Sequence, residues 1–507
     1  MSGAVLATPE VAVSVEGVPL PDPAAAALIS ATVRAELGLP AQCELVFADP
    51  PAALWSQLVL RPGADLRLSL GPTRRLLFAG AVVAVEHEVA PGAERRLYVR
   101  AYDALHRLRQ RHRLQTYADV TATDLARRLV GDDGLRVEAD HDGPVWRSLI
   151  HDGRDDLTFL RAVAARAGLY PVVWDGALTL SSLAGRDNPV PLVVGEGLLA
   201  ARAELNGDRA AAEVEAFGWD PRQARTFHGS AGTSRVGRHT EAELRAADVG
   251  ARGPRVLVVS PAESDGHAEQ RAQAELDRAA AGSLTLSGQA EGDPALWPGR
   301  RIAVQGVAPH LDGIHVLSRV EHQLSPLTGY TTDFEAGAPL VPEPQPSLRA
   351  AEGEVTQVAD PDRLGRVRVK LFGYQDAETE WLRCLSAGGG AGKGFVTVPS
   401  IGDRVLLLLV DADPARALVL GGLFGPEGPP DSGVEGDRVE RFSLRTAAGH
   451  ALSLDERTGE VRLANGEGTY VLLSPERVVL HSERELVLES PGRDMKIRAK
   501  RIDFEEA

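Results

Sequence analysis

Hydrophobic and polar positions change their period twice along the chain. Arg74–Val89 and Ala93–Tyr102 alternate or run apolar, with Pro91-Gly92 between them, which predicts a β-hairpin. Thr121–Val130 switches to helical spacing: Leu125, Leu129 and Val130 share a face, and Thr121 or Thr123 can cap the start. Asp155–Ala167 repeats the pattern with Leu157, Leu160, Val163 and Ala164 as the apolar stripe. There Asp155 and Asp156 suit the positive end of the helix dipole, and Gly168 supplies a stop. A third helix is expected over Glu263–Ala281, ending at Gly282, followed by strands at Ser283–Ala290, Arg301–Gln305 and Ile314–Glu321.

Beyond residue 350 the pattern is nearly all strand. Glu354–Val358, Gly365–Leu371, Trp381–Leu385, Gly394–Val398, Asp403–Val410 and Ala417–Leu423 are separated by Gly, Pro and Asp turns, as in a small closed barrel of the OB type. A shorter repeat follows: Phe442–Arg445, Ala451–Leu454, Glu460–Leu463, Tyr470–Leu473, Arg477–Leu480, Leu486–Glu489, Met495–Arg498 and Ile502–Phe504. A single ladder of such short strands buries one face at best and leaves unpaired edges. Copies of the same tail would supply both, so a trimeric β-helix or β-prism is expected. Leu452, Leu463, Leu472, Leu480, Leu488 and Ile497 would form its dry interior.

The Pro/Gly-rich stretches Pro339–Pro346 and Gly425–Gly433 read as spacers. The expected organisation is 1–338 as an α+β region of barrel-like subdomains with a few helices, 339–351 as linker, 352–424 as OB-fold barrel, 425–437 as linker and 438–507 as repeat. The fold class is mainly β.

Composition narrows the function. Of 507 residues 44% are apolar and 25% charged, a folded globular profile. A net charge of −16 disfavours a phosphate-tracking nucleic-acid binder or an anionic membrane surface as partner. Apolar runs such as Val405–Val410 fall far short of the roughly 20 residues a spanning helix needs. Met1–Glu10 has no basic n-region or long apolar core, so neither a Sec leader nor stable membrane anchoring is expected. Synthesis in a bacterial cytoplasm fits Cys43 and Cys384, which form no CxxC pair and read as small buried hydrophobes.

Chemical motifs are sparse. Ala387-Gly-Gly-Gly-Ala-Gly-Lys-Gly394 superficially suggests a phosphate loop, but Gly394 stands where Ser or Thr should hold magnesium, and a strand pattern rather than a helix follows. It reads as a barrel loop. No GxSxG or HExxH occurs, and His310 and His315 lack a ligand frame. His450 and His481 lie in the repeat tail, where solvated positions are expected. No catalytic residue, metal site or cofactor is expected.

The barrel segment resembles the spike proteins of contractile injection machines: the valine–glycine-repeat (VgrG) spikes of type VI secretion and the hub–spike proteins of contractile phage baseplates. The resemblance rests on Asp360-Pro361, Gly365-Arg366-Val367, Trp381 and Arg383, Gly388–Gly394, Pro399, Gly402-Asp403, Val405, Asp413-Pro414 and Val419-Leu420-Gly421, in order. Arg404 departs from it, because an acidic residue is usual there. Residues 1–338 resemble the hub of the same family, the phage late-control type. The landmarks are Phe78-Ala-Gly80, Tyr102-Asp-Ala-Leu105, Leu157-Thr-Phe-Leu160 with Gly168, Trp219-Asp-Pro221, Pro298-Gly299, and Val320-Glu-His322 through Gly329-Tyr-Thr-Thr332.

The resemblance implies a non-enzymatic homotrimer. Its hub halves would meet a hexameric tail-tube protein and baseplate wedge proteins, and its tail would project as a spike capped by a PAAR-like tip protein. Neither an inserted lysozyme-like domain nor a trailing effector domain is expected. The short tail favours an extracellular or phage-like contractile particle. A type VI spike is the alternative, and a spike-associated cell-wall hydrolase a more distant one.

Overall fold

The strand Gly313–Ser325 joins the two halves of the N-terminal sheet. Its first residues pair with Arg300–Gln305, as in Val304↔Gly313. Further along, Val320 lies between Ala35 of Leu28–Glu36 and Phe334 of Gly329–Ala336. The ring continues through Arg186–Val194, Gly197–Leu205 and Leu284–Glu291 back to Gly329–Ala336, closing a six-stranded barrel. Closure leaves no free edge to pair with foreign strands. On the other side the sheet runs from Leu28–Glu36 through Gln42–Ala48, Arg95–Tyr102, Arg75–Val89 and Asp65–Leu70 to Val11–Val15. The expected hairpin is present, with Ala90 N donating to the Glu94 carbonyl across a turn that holds Gly92 at φ +95°.

The structure, a computed structural model, describes residues 9–56, 58–220, 225–242, 244–259, 264–341, 348–411 and 413–505. Most of the N-terminal decapeptide weighed as a leader, Pro221, Glu263 and much of the first spacer lie outside them. Two compact units are formed, Met1–Gly422 and Leu423–Ala507.

A second core, between residues 105 and 180, gathers the predicted short helices. Ala122–Val130 starts with a reciprocal capping box between Thr121 and Asp124. In Asp156–Arg166 only one of the two expected acids caps: Asp155 is the N-cap, accepting from Thr158 N at 2.9 Å, whereas Asp156 is buried. Gly168 adopts φ +74°, and a Cβ there would lie 3.3 Å from Ala274 of the long helix Asp265–Ser283. That helix is capped by Ser264 and passes through Gly282, where a stop was expected, because the strand Leu284–Glu291 takes over directly.

The barrel segment is built on Arg368–Leu371, Leu348–Gln357, Arg404–Val410 and Ala417–Leu423. Its core includes Val355, Val369, Leu371, Val405, Leu407, Leu409 and Val419. Three expectations need correction. Leu348–Ala351, assigned to the linker, is strand paired with Leu407–Val410. Among the described residues Trp381–Leu385 forms no ladder strand and contributes the isolated bridges Val367↔Leu382 and Cys384↔Val419. Gly394–Val398 is not a strand: Phe395, Val396 and Val398 are exposed, and the segment is held instead by the hydrogen bonds of Phe395 to the Ala387 carbonyl and from the Ser386 hydroxyl.

In the second unit Arg441–Arg445, Ala451–Asp455, Glu460–Ala464, Tyr470–Leu473 and Val478–His481 form one antiparallel meander. The second linker is not wholly extended: Val434–Glu435 pairs with Arg438–Val439, and Arg441 clasps Asp431 and Glu435. Leu486–Glu489, Met495–Arg498 and Ile502–Phe504 carry no ladder, since none of them pairs with a strand among the described residues. The single chain therefore contains a five-stranded meander where a β-helix or prism was expected of three chains.

Candidate functional site: barrel turn, tail face and hub landmarks

The Asp-Pro…Gly-Arg-Val motif is a turn organised by one carboxylate. Asp360 accepts backbone hydrogen bonds from Asp362, Leu364 and Arg366, and the Arg366 guanidinium reaches it through Nε at 3.0 Å and Nη2 at 2.6 Å. Both side chains are buried. The guanidinium first, and then the three N–H groups, hold the Asp360 carboxyl far below the usual carboxylate range. Gly365 sits at φ +69°, where a side chain would be strained, and Val367 drops into the core. Pro361 is exposed on the turn.

The remaining motif residues are placed around this core. Gly402 takes φ +89°, and the Asp403 carboxylate accepts from Ser400 N at 2.7 Å, turning the chain into Arg404–Val410. The departing Arg404 is in register with Glu354 across the ladder, with its guanidinium 6.0 Å from the centre of the Phe372 ring. Asp413 caps a short 3-10 turn by accepting from Ala415 N at 3.0 Å, with Pro414 buried at its first position. Burial pushes the Asp413 carboxyl up, and the nearby Arg166 opposes that shift. Trp381, Pro399 and Gly421 are half-buried, and Gly394 holds φ +144° in the glycine loop.

Antiparallel pairing sorts the tail into two faces. Leu444, Leu452, Leu463, Val471 and Leu480 form one cross-strand row, and Phe442, Leu454, Val461, Leu473 and Val478 form the next row on the same face. Nearly all of this face is exposed in the single chain, with Leu463 at 57% and Leu480 at 54%. The six residues expected in the interior therefore do not share one face of the meander. Leu452, Leu463 and Leu480 share the apolar face, but Leu472 pairs with Arg462 and Val479 on the opposite face. Leu488 and Ile497 lie outside the meander and are exposed. Val471, rather than Leu472, lies in the row with Leu463 and Leu480. The run Tyr470-Val-Leu-Leu473 is apolar at every position, so only the register separates its two faces. His481 stacks on Tyr470 on the polar face, where Nε2 meets Glu483 at 3.1 Å.

The hub landmarks have structural causes. A Cβ at Gly80 would lie 2.1 Å from the Tyr102 carbonyl oxygen, which explains Phe78-Ala-Gly80. Asp103 accepts from Ala41 N and Leu105 N, and burial pushes its carboxyl up to about 7. His322 is fully buried among the Thr332 hydroxyl, the Tyr330 hydroxyl and the Leu296 carbonyl, and burial lowers its pKa to about 4. Trp219 is exposed. Among the described residues no cluster of His, Cys, Asp and Glu could hold a metal ion.

The model of the Alg8 N-terminal domain matches residues 7–326, and the chain belongs to that family. Residues 351–424 match the type VI secretion system/phage-baseplate injector OB domain. Two curated Pseudomonas aeruginosa proteins are similar. The type VI secretion system spike protein VgrG5 is 30% identical over 28% of this chain, and VgrG4b is 26% identical over 27%. The matched stretches span 20% and 16% of those relatives' lengths.

Two solved structures share the fold. One is the E. coli c3393 protein, described as a type VI secretion component structurally similar to the T4 tail proteins gp27 and gp5. It has a TM-score of 0.52 and 18% identity, over 81% of this chain and 99% of that one. The other is a chain of the Francisella PdpA-VgrG complex, with a TM-score of 0.56 and 9% identity, over 94% and 81%. The fold is VgrG-like: a mainly β N-terminal region followed by a segment that matches the injector OB domain.

Proposed function

We propose that the chain is the structural central spike and hub of a contractile injection machine, working as a homotrimer. The observation that carries this reading is the exposed apolar face of the tail meander. A continuous row of leucines, valines and phenylalanine in water favours association with copies that bury it. The match to the injector OB domain and the similarity to spike proteins support the same role. In this reading the N-terminal sheet meets a hexameric tail-tube protein and baseplate wedge proteins. The tail projects as the puncturing spike, and exposed Ile502 and Phe504 offer a surface to a PAAR-like tip protein. The chain acts mechanically rather than as an enzyme.

The host machine is an extracellular or phage-like particle. The two Pseudomonas relatives favour a type VI spike as the second reading. No helix among the described residues is long and apolar enough to cross a membrane. Mass photometry of the full chain tests the assembly: a trimer that survives dilution is expected, and a dilution-stable monomer overturns the proposal.

A further inference from the structure

A polar groove opens where the α/β segment meets the closed barrel. Its wall is the hairpin Tyr170–Trp174 and Ala177–Ser181, turned at Asp175 and Gly176 with φ 46° and +70°. Its floor is Gly299, whose missing Cβ would lie 2.9 Å from Ser181 Oγ. The volume is about 180 Å³. That is below the roughly 300–1,000 Å³ of sites for drug-sized ligands, and it suits a single small ring.

The lining separates polar groups already engaged from polar groups left open. Arg186 is paired with Glu138 at 3.4 Å and Asp140 at 3.2 Å, and Arg300 with Asp187 at 2.8 Å. Arg136 approaches Glu138 at 3.9 Å. An anionic ligand would have to compete with these carboxylates for the guanidiniums. What stays open is hydrogen-bonding capacity on groups that are neutral or whose charge is already balanced by a carboxylate. Thr179 is 1% exposed, yet its hydroxyl meets no partner among the described residues, and the buried Nε of Arg300 meets none among them either. Buried groups of this kind cost free energy unless something pairs with them. Beside them lie the half-buried ring of Trp174, braced by Trp297 at 5.6 Å, and the exposed carboxylate of Asp175 at the rim. Trp297 is itself fixed, because its indole N–H donates to the Val173 carbonyl at 3.0 Å.

We propose that this groove binds one neutral monosaccharide unit, with a ring face on Trp174 and hydroxyl groups on Thr179 Oγ1, Arg300 Nε and the Asp175 carboxylate. The groove is built within one chain, so the assignment does not depend on the spike reading.

Saturation-transfer NMR on the full chain tests it. The probes are glucose, galactose, mannose, N-acetylglucosamine and N-acetylgalactosamine, each free and as the methyl glycoside. At least one should bind with a dissociation constant on the order of 1 mM. Equal binding of the methyl glycoside marks a glycan terminus as the source, whereas preference for the reducing sugar marks a free sugar. Asp175→Asn should weaken binding at least about tenfold while the fold persists, because Asn tolerates positive φ. Thr179→Val should lose binding yet raise the melting temperature, since it removes a buried, unpaired hydroxyl. A purely structural Thr179 would not produce that opposite pair of effects. Absence of binding across the neutral panel, binding of glucuronate or sugar phosphates alone, or binding unchanged in both variants overturns the proposal.

Discussion

Arg366 and Asp360 form a two-point ion pair inside the barrel, with Nε and Nη2 reaching the two carboxylate oxygens at 3.0 and 2.6 Å. The same carboxylate holds three backbone N–H groups of the turn, so the charge is both paired and structurally engaged. Asp362 adds a second acceptor for Arg366 at 2.7 Å.

Asp360→Asn should therefore destabilise the barrel by about 3 kcal/mol, because it leaves a buried guanidinium short of its counter-charge. Urea unfolding read in the barrel checks this, and the double variant Asp360→Leu/Arg366→Met should recover much of the loss. The sign with pH follows from a carboxyl whose folded pKa is depressed. Its contribution is complete above the unfolded value near 3.9 and is lost as pH falls below that toward the folded value. Acid unfolding of Asp360→Asn should lack this component.

His322 titrates with the opposite partner set. Burial lowers its pKa to about 4, against about 6.5 in an unfolded chain, so it folds neutral. Its contribution is present above about pH 6.5 and is lost as pH falls toward 4, where the unfolded state takes up a proton that the hub cannot. The expected loss is about 3 kcal/mol. Asp103, pushed up to about 7, works in the opposite direction over much of the same window. The informative measurement is therefore the difference in hub stability between the natural chain and His322→Gln across pH 4–7. A flat difference contradicts the assignment.

Gly80→Ala tests why a small landmark persists in a long strand. The added carbon would meet the Tyr102 carbonyl oxygen, a backbone atom in a paired strand that cannot step aside. A loss of about 3 kcal/mol is expected from such overpacking. Ala79→Gly, one residue away, should cost about 1 kcal/mol through strand propensity alone. Thermal melts of the two variants separate these causes.

The hub's hairpin and helices were legible because each carries a local signal: Pro91-Gly92 for the turn, Thr121 or Thr123 for a cap, a stripe from Leu157 to Ala164. The barrel's ordered motif was legible through residues that hold turns, Asp360, Gly365, Gly402 and Asp413, rather than through its strands. What was not legible depended on partners remote in sequence. Trp381–Leu385 and Gly394–Val398 have strand composition, but the first makes only isolated bridges and the second meets no ladder. Closure of the six-stranded ring needs Gly313–Ser325 to meet Gly329–Ala336 on one side and Arg300–Gln305 on the other, which no local period encodes. The groove beside Trp174 was missed for the same reason: its walls come from residues 136–187 and 298–300.

The tail offers the sharpest discrimination, because neighbouring leucines face opposite ways. Leu480 shares the apolar face with Leu452, Leu463 and Val471, whereas Leu472 points to the face that carries Arg462 and Tyr470. If three tails bury the apolar faces against one another, Leu480→Asp places three charges close together in a dry interior. Each costs several kcal/mol, and none has a partner. Leu472→Asp places its charges on the face that already presents Arg462, where water and a cation can accommodate them. The expected result is dissociation or early melting of the Leu480→Asp trimer in mass photometry and calorimetry. The Leu472→Asp trimer should melt within a few degrees of the natural chain. Equal tolerance of both substitutions contradicts burial of this face, and the reverse order would mean that the opposite face forms the interior.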